Sequence, residues 1–185
     1  MPHLRRQLAV TLALAGVCAT VASATNPTRY TSTRYHYSLV PPAHWVTAPA
    51  TANLAAGFFP DGAGAATDKF QNLADPQQPE IGIAAAPLRP GTTLQKWLAT
   101  TRAAIVAQYA CVAQGPPGRR ILDGQPADIL IYDSCVGLYF IEVATVVHGR
   151  GYDVYWLSNG TKSAATRARD RAAFNWVLAT LRFTG

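Results

Sequence analysis

RRILDGQPADILIYDSCVGLYFIEVATVVHGRGYDVYWLS, residues Arg119–Ser158, is a series of β-like runs broken only by short turns. Arg119 to Leu122 and Pro126 to Asp133 flank Asp123-Gly124, a dipeptide that strongly favours a two-residue hairpin turn. Leu138 to His148 is the longest β candidate, with Val143, Thr145, Val146 and Val147 near its end. Gly149-Arg150-Gly151 then turns the chain into Tyr152 to Ser158. Turns this short join antiparallel neighbours, because a parallel crossover needs a dozen or more residues. The stretch predicts an antiparallel meander.

Upstream, Tyr35 to Val40 alternates in polarity as a strand does, stops at Pro41-Pro42, and resumes as extended chain at Trp45-Val46. Leu54 to Phe59 is a further strand candidate ending in the loop Pro60-Asp61-Gly62-Ala63-Gly64. Phe70 to Pro79 reads as irregular, and Ile81 to Ala86 as a short buried strand. Pro90-Gly91 precedes a helix, with Thr92 and Gln95 in capping-box spacing. Leu94, Trp97, Leu98, Thr101, Ile105 and Tyr109 then share one helical face. Gly115-Pro116-Pro117-Gly118 separates that helix from the meander. A last helix spans Ser163 to Leu181, with Phe174, Val177, Leu178 and Leu181 as its apolar stripe. Strands, helix, strands, helix is the order of an α+β fold in which two main helices pack on a central antiparallel sheet.

The N-terminus adds an address. Arg5 and Arg6 precede an apolar stretch from Leu8 to Val21, and Ala22-Ser23-Ala24 forms a small-x-small cleavage site. Residues 1–24 thus read as a secretory signal peptide, with cleavage favoured over an uncleaved anchor. The apolar stretch is short for a span of about 20 residues, so no stable membrane span is expected after cleavage. Ala15-Gly16-Val17 sits one residue out of register for lipid attachment at Cys18, which argues against a lipoprotein. Arg5-Arg6-Gln7-Leu8 only loosely resembles a twin-arginine signal, and ordinary export is the better reading. The expected location is exported, periplasmic or extracellular. Thr25 to Arg34 reads as a flexible lead-in, and residues 35–185 as one domain.

Without Arg5 and Arg6 the chain has 14 basic against 10 acidic residues, a net charge of +4. Apart from Arg119-Arg120 and the helical set Arg167, Arg169 and Arg171, the basic residues are scattered, and no basic stripe with interleaved aromatics is present. Nucleic acid is therefore not an expected partner. Cys111 and Cys135 remain after cleavage. If residue 122 pairs with 125 across Asp123-Gly124, paired positions sum to 247, and the two cysteines sum to 246. They would lie close if the chain after the first helix follows the hairpin direction. In an exported domain this favours a disulfide over buried free thiols or a catalytic cysteine.

Motifs for chemistry are sparse. There is no Gly-x-Ser-x-Gly elbow and no phosphate-binding loop. His36, His44 and His148 are isolated from other metal-ligand types, so neither a metal nor a cofactor is expected. His148 with Asp153 or Glu142 could form a shallow hydrolytic site, although a polar strand end is the plainer reading. Alternation puts Glu142 on a solvent-facing side, with a buried, shifted acid as the alternative. His44-Trp45 offers a stacking surface or simply a core tryptophan. Tyr37, Trp45, Tyr109 and Trp156 are candidate walls of an aromatic ligand pocket. Asn159-Gly160-Thr161 matches the glycosylation pattern, which is common by chance.

The order of these features resembles the PsbP-like superfamily, which takes in the extrinsic photosystem II protein, the Ran-binding Mog proteins and exported bacterial proteins of the DcrB and LpqN type. Tyr37-Ser38-Leu39 followed by Pro41-Pro42 and Trp45 resembles that group's opening strand. Thr93-Leu94 with Trp97-Leu98 resembles its helix start, and Gly124-Gln125-Pro126-Ala127 its Gly-x-Pro-Ala hairpin. Tyr152-Asp153-Val154-Tyr155 is similar to its penultimate strand. Phe174, Val177, Leu178, Leu181 and Phe183 match its closing helix. The resemblance covers roughly residues 35–183. It implies an α/β/α sandwich around an antiparallel sheet, and action mostly by binding partners or stabilising assemblies.

The leading expectation is therefore a non-catalytic exported binding or accessory protein acting through a protein partner in the cell envelope. Its binding surface is expected at the sheet edge or on the loops at Phe58 to Gly64 and His148 to Gly151. A small-ligand carrier with the aromatic-lined pocket is the alternative, and a hydrolase using His148 is a third.

Overall fold

In the computed structural model, residues 28–54, 65–76, 78–135, 137–159 and 163–185 are described. Residues 1–24, the Phe58 to Gly64 loop, most of the Leu54 to Phe59 strand candidate, and Gly160 and Thr161 of the glycosylation triplet lie outside them.

Asp123 and Gly124 both have positive φ, +48° and +77°. That is the backbone of a two-residue turn whose twist matches the flanking strands. Strand β7 (Gly118–Leu122) and strand β8 (Gln125–Cys135) leave it with Leu122 opposite Gln125. The second reversal is tighter than the sequence reading had it. His148 and Gly149 alone form the turn, with φ of +48° and +74°. Strand β9 (Leu138–Val147) and strand β10 (Arg150–Asn159) pair from Val147 opposite Arg150 onward.

The meander forms half of an eight-stranded sheet. Its other strands are β3 (Val46–Ala48), β4 (Asp68–Gln71), β5 (Glu80–Pro87) and β6 (Val112–Ala113). The order is β3-β4-β5-β10-β9-β8-β6, with β7 also paired to β8, and every pairing is antiparallel. Phe70 and Gln71 thus belong to a strand where the sequence reading had irregular chain.

Helix α1 (Leu94–Tyr109) covers one face of the sheet. Trp97, Leu98 and Ile105 pack there on Ala84, Leu130, Phe140, Ala144 and Tyr155. Its N-cap is Thr93, one residue beyond the expected Thr92. The Thr93 hydroxyl accepts from the Lys96 amide at 3.3 Å, while Thr92 donates to the Arg89 carbonyl. Helix α2 (Ala164–Thr180) covers the opposite face, capped by Ser163. Phe174, Val177 and Leu178 pack there with Ile81, Ile83, Ile141, Val143, Val154 and Trp156. Strand positions therefore divide by parity between two apolar layers, and the central strands are buried on both sides. This is the α/β/α sandwich that the resemblance implies.

One expectation fails at the N-terminal end. Thr25 to Arg34 contains strand β1 (Tyr30–Ser32), not only a lead-in. It pairs with β2 (Tyr37–Leu39), and β11 (Arg182–Phe183) completes a three-stranded sheet on the α2 side. Tyr30 holds it down by meeting Phe70 edge-on at 5.2 Å, and the buried Ser32 hydroxyl accepts from the Tyr35 amide. The polar composition of the segment conceals these two anchors.

Cys111 and Cys135 form a disulfide with Cα atoms 4.2 Å apart. The hairpin direction does continue past the Pro116-Pro117 break, but with two extra residues on the outer side. Val112 faces Asp133, so paired positions there sum to 245. A proline cannot donate to a ladder, and a paired edge accommodates it as a bulge. The crosslink closes a loop with a sequence separation of 24. Replacing both cysteines by serine is expected to lower stability by about 3 kcal/mol, chiefly through the unfolded chain. Urea unfolding of oxidised wild type against the double variant measures it, and a difference below about 1 kcal/mol would contradict this account.

Candidate functional site

Among the buried acids of the described residues, four on the sheet stand out, Asp68, Glu80, Glu142 and Asp153, and three of these are held by tyrosines. The Tyr37 hydroxyl donates to Asp68 Oδ2 at 2.7 Å, Tyr155 to Glu80 Oε1 at 2.8 Å, and Tyr132 to Glu142 Oε2 at 2.6 Å. Asp68 also accepts from the Ala50 amide, and Glu80 from Gln71 Nε2. Burial and the adjacent carboxylates raise the pKa of all three tyrosines, so they remain neutral donors. The fourth acid differs. Both Asp153 carboxyl oxygens lack a hydrogen-bond partner, as does Glu142 Oε1.

Glu142 and Asp153 are diagonal neighbours on the α1 face, since Glu142 pairs with Tyr155 two residues along β10. The solvent-facing expectation for Glu142 is thereby overturned: α1 covers that side, and the residue is 0% exposed. Burial pushes Glu142 up to about 7, opposed by Thr101, Tyr132 and Arg102. Burial, and then the Glu142 charge, push Asp153 well above the ordinary carboxylate range. Both acids lie beneath α1 and are 0% exposed.

The other expected residues are dispersed. His148 is exposed at the β9–β10 turn, while Asp153, the fourth residue of β10, lies inside the core. His148 makes no hydrogen bond or ion pair with Asp153 or Glu142, so the hydrolytic constellation does not assemble. Tyr37 and Trp156 are fully buried and Trp45 is half-buried in the α2-side layer. Tyr109 packs in the α1-side layer, 6.5 Å from the Phe140 ring centroid. The sheet separates it from the other three, so the four aromatics do not line one pocket. They are core residues, as large aromatic side chains often are. Trp156 does border a small cleft of about 300 Å³ with Tyr139, Arg167 and Arg171. Among the described residues there is no group of three or more potential metal ligands.

The outer flank of α1 carries a further feature, outside every motif named above. Leu98, Ala99, Ala103 and Val106 with Pro117 wall a largely apolar groove of about 710 Å³ between the helix and the β7–β8 side of the sheet. Arg102 and Asp128 stand in its polar wall. Arg119, opposite Asp128, and Ile121, 70% exposed, continue that side along β7. Val106 is 42% exposed. The sequence signal was available: Ala99, Ala103 and Ala107 recur at four-residue spacing beside the buried stripe. Small residues there leave the helix flank hollow.

The chain is thus an α/β/α sandwich with an antiparallel sheet, a buried acidic core and an open groove beside its first helix. No protein-family model matches the sequence, and no curated protein matches it. Solved structures do share the fold. The solution structure of cyanobacterial PsbP (CyanoP) from Synechocystis sp. PCC 6803 superposes with a TM-score of 0.57 at 16% identity, over 91% of this chain and 98% of that one. LpqN of Mycobacterium tuberculosis, described as involved in cell envelope biogenesis, superposes with a TM-score of 0.58 at 14% identity, over 85% and 90%. The fold is the PsbP-like one.

Proposed function

We propose that this is an exported, non-catalytic accessory protein that binds a protein partner in the cell envelope through the groove along α1. The groove carries the reading: exposed Val106 and the cation Arg102 line it, and exposed Ile121 and Arg119 continue the same side along β7. Contiguous exposed apolar surface with a polar rim is a common mark of a protein-binding site. The partner segment expected there is amphipathic, with acidic side chains facing the two arginines. Export is supported by the signal-peptide pattern of residues 1–24, the disulfide and the envelope role described for LpqN.

Photo-crosslinking in intact cells tests it. A photoreactive residue at Val106 is expected to capture one reproducible protein, and one at exposed Ala172 on α2 is not. Ala103→Glu should reduce that adduct roughly tenfold by filling the groove and opposing the partner's acidic side chains with a like charge. Equal capture at both positions, or none at Val106, would remove the groove as the docking site.

A further inference from the structure

A second opening of about 710 Å³ lies on the opposite face of the sheet, where β10 begins. It is bounded by Tyr30 of β1, by Arg34 and Asn53 on the following chain, by Asp68 of β4 and by Arg150 of β10. The two arginines differ in how they are held. Arg34 Nε donates to the Ala50 carbonyl at 3.2 Å, and Nη1 donates to Asn53 Oδ1 at 2.5 Å. Those bonds fix the guanidinium and leave its other N–H groups free to donate.

Arg150 has no such partner. It is the first residue of β10, opposite Pro87 and Val147, and its parity with Tyr152 directs it to the α2 side. It is half-buried, and among the described residues its side chain makes no hydrogen bond or ion pair. A guanidinium carries five donors, and withdrawing them from water without an acceptor is unfavourable. The one acid in the cleft wall among the described residues cannot serve it. Asp68 is 1% exposed, and its oxygens already accept from the Tyr37 hydroxyl and the Ala50 amide. The cleft therefore has two guanidinium groups and one carboxylate committed elsewhere.

We propose that this cleft binds a small organic anion through carboxylate or phosphate oxygens, with Arg150 as the primary anchor and Arg34 as the second. A planar guanidinium matches either oxyanion in a two-bond contact. The volume suits a small molecule, within the usual range of roughly 300–1,000 Å³. The half-buried Tyr30 ring gives the cleft an aromatic wall for the rest of the ligand. This site is separate from the α1 groove and stands or falls independently of it.

The test uses the mature oxidised protein, titrated with citrate and, separately, with inorganic phosphate while backbone amide and arginine Nε resonances are followed by NMR. The expected result is saturable shifts at Tyr30, Arg34, Arg150 and Gly151, with at least one anion binding below about 1 mM. Arg150→Gln is expected to weaken that binding at least tenfold, while Arg89→Gln, an exposed control, leaves it unchanged. Because Arg150 has no partner to lose, the unliganded Arg150→Gln protein should melt no lower than wild type, which separates lost binding from lost folding. Response to citrate alone assigns a carboxylate ligand, and response to phosphate alone a phosphate ligand. Failure of both to saturate, equal affinity in Arg150→Gln, or equal weakening by Arg89→Gln overturns the proposal.

Discussion

Gly151→Ala is expected to cost about 3 kcal/mol or more, a large share of the stability of a domain this size. A Cβ built at Gly151 would lie 2.4 Å from Trp97 Cδ2 and 2.5 Å from Cε2. The indole of Trp97 lies against the Gly151 backbone, is 2% exposed, and donates from Nε1 to the Tyr152 carbonyl at 2.9 Å. It cannot move aside without breaking that bond and lifting α1 from the sheet. Strand glycines often mark such a close approach. The predicted drop in Tm is roughly 6–12 °C. Gly149→Ala is the comparison: nothing lies within 4 Å of its Cβ, but φ is +74°, so only the backbone cost of about 1 kcal/mol is expected. Pairing Gly151→Ala with Trp97→Leu should recover part of the loss. A Gly151→Ala protein within about 0.5 kcal/mol of wild type would show that the indole does not sit there.

The second large effect is a fall in stability as pH rises. Glu142 and Asp153 both have folded pKa values above their ordinary ones, by burial first. The native state therefore binds more protons than the unfolded state between pH 4.5 and about 7. The stabilising protonated form is fully present below the unfolded value and is lost as pH rises through the folded one. Stability at pH 8 is expected to be lower than at pH 5 by on the order of 3 kcal/mol. Glu142→Gln keeps an acceptor for the Tyr132 hydroxyl and removes the ionisation, so it should flatten the profile. Asp153→Asn should do the same. Urea unfolding at several pH values measures the slope, and an unchanged slope in Glu142→Gln with Asp153→Asn would refute the assignment.

Local chemistry made much of the fold legible. Asp123-Gly124 specifies its turn by itself, and the helix-facing residues Trp97, Leu98 and Ile105 announce their spacing. The disulfide could be placed because a hairpin register is arithmetic, although the proline break moved it by two positions. What stayed hidden depended on parts distant in sequence. Glu142 looks solvent-facing until α1, some 40 residues earlier, is laid over it. Tyr30–Ser32 looks like a polar tail until Phe70 and Tyr37 are beside it. Arg150 looks like a turn residue, and only the closure of β1 against the sheet makes its lack of an acceptor visible. Asp153 gave no local sign that it would lie in the core without a partner.

The rims of the main sheet bear on how the protein behaves in a crowded compartment. One rim, β3, is only three residues long. On the other, β6 and β7 share the outer side of β8, but Pro116-Pro117 interrupts them. Neither rim gives another copy a long straight template of amides and carbonyls. Growth of one sheet onto the next, the route to fibres, is checked by length at one end and by proline at the other. A sheet made largely of apolar strands is thus guarded at both of its described rims by the strands' own length and sequence.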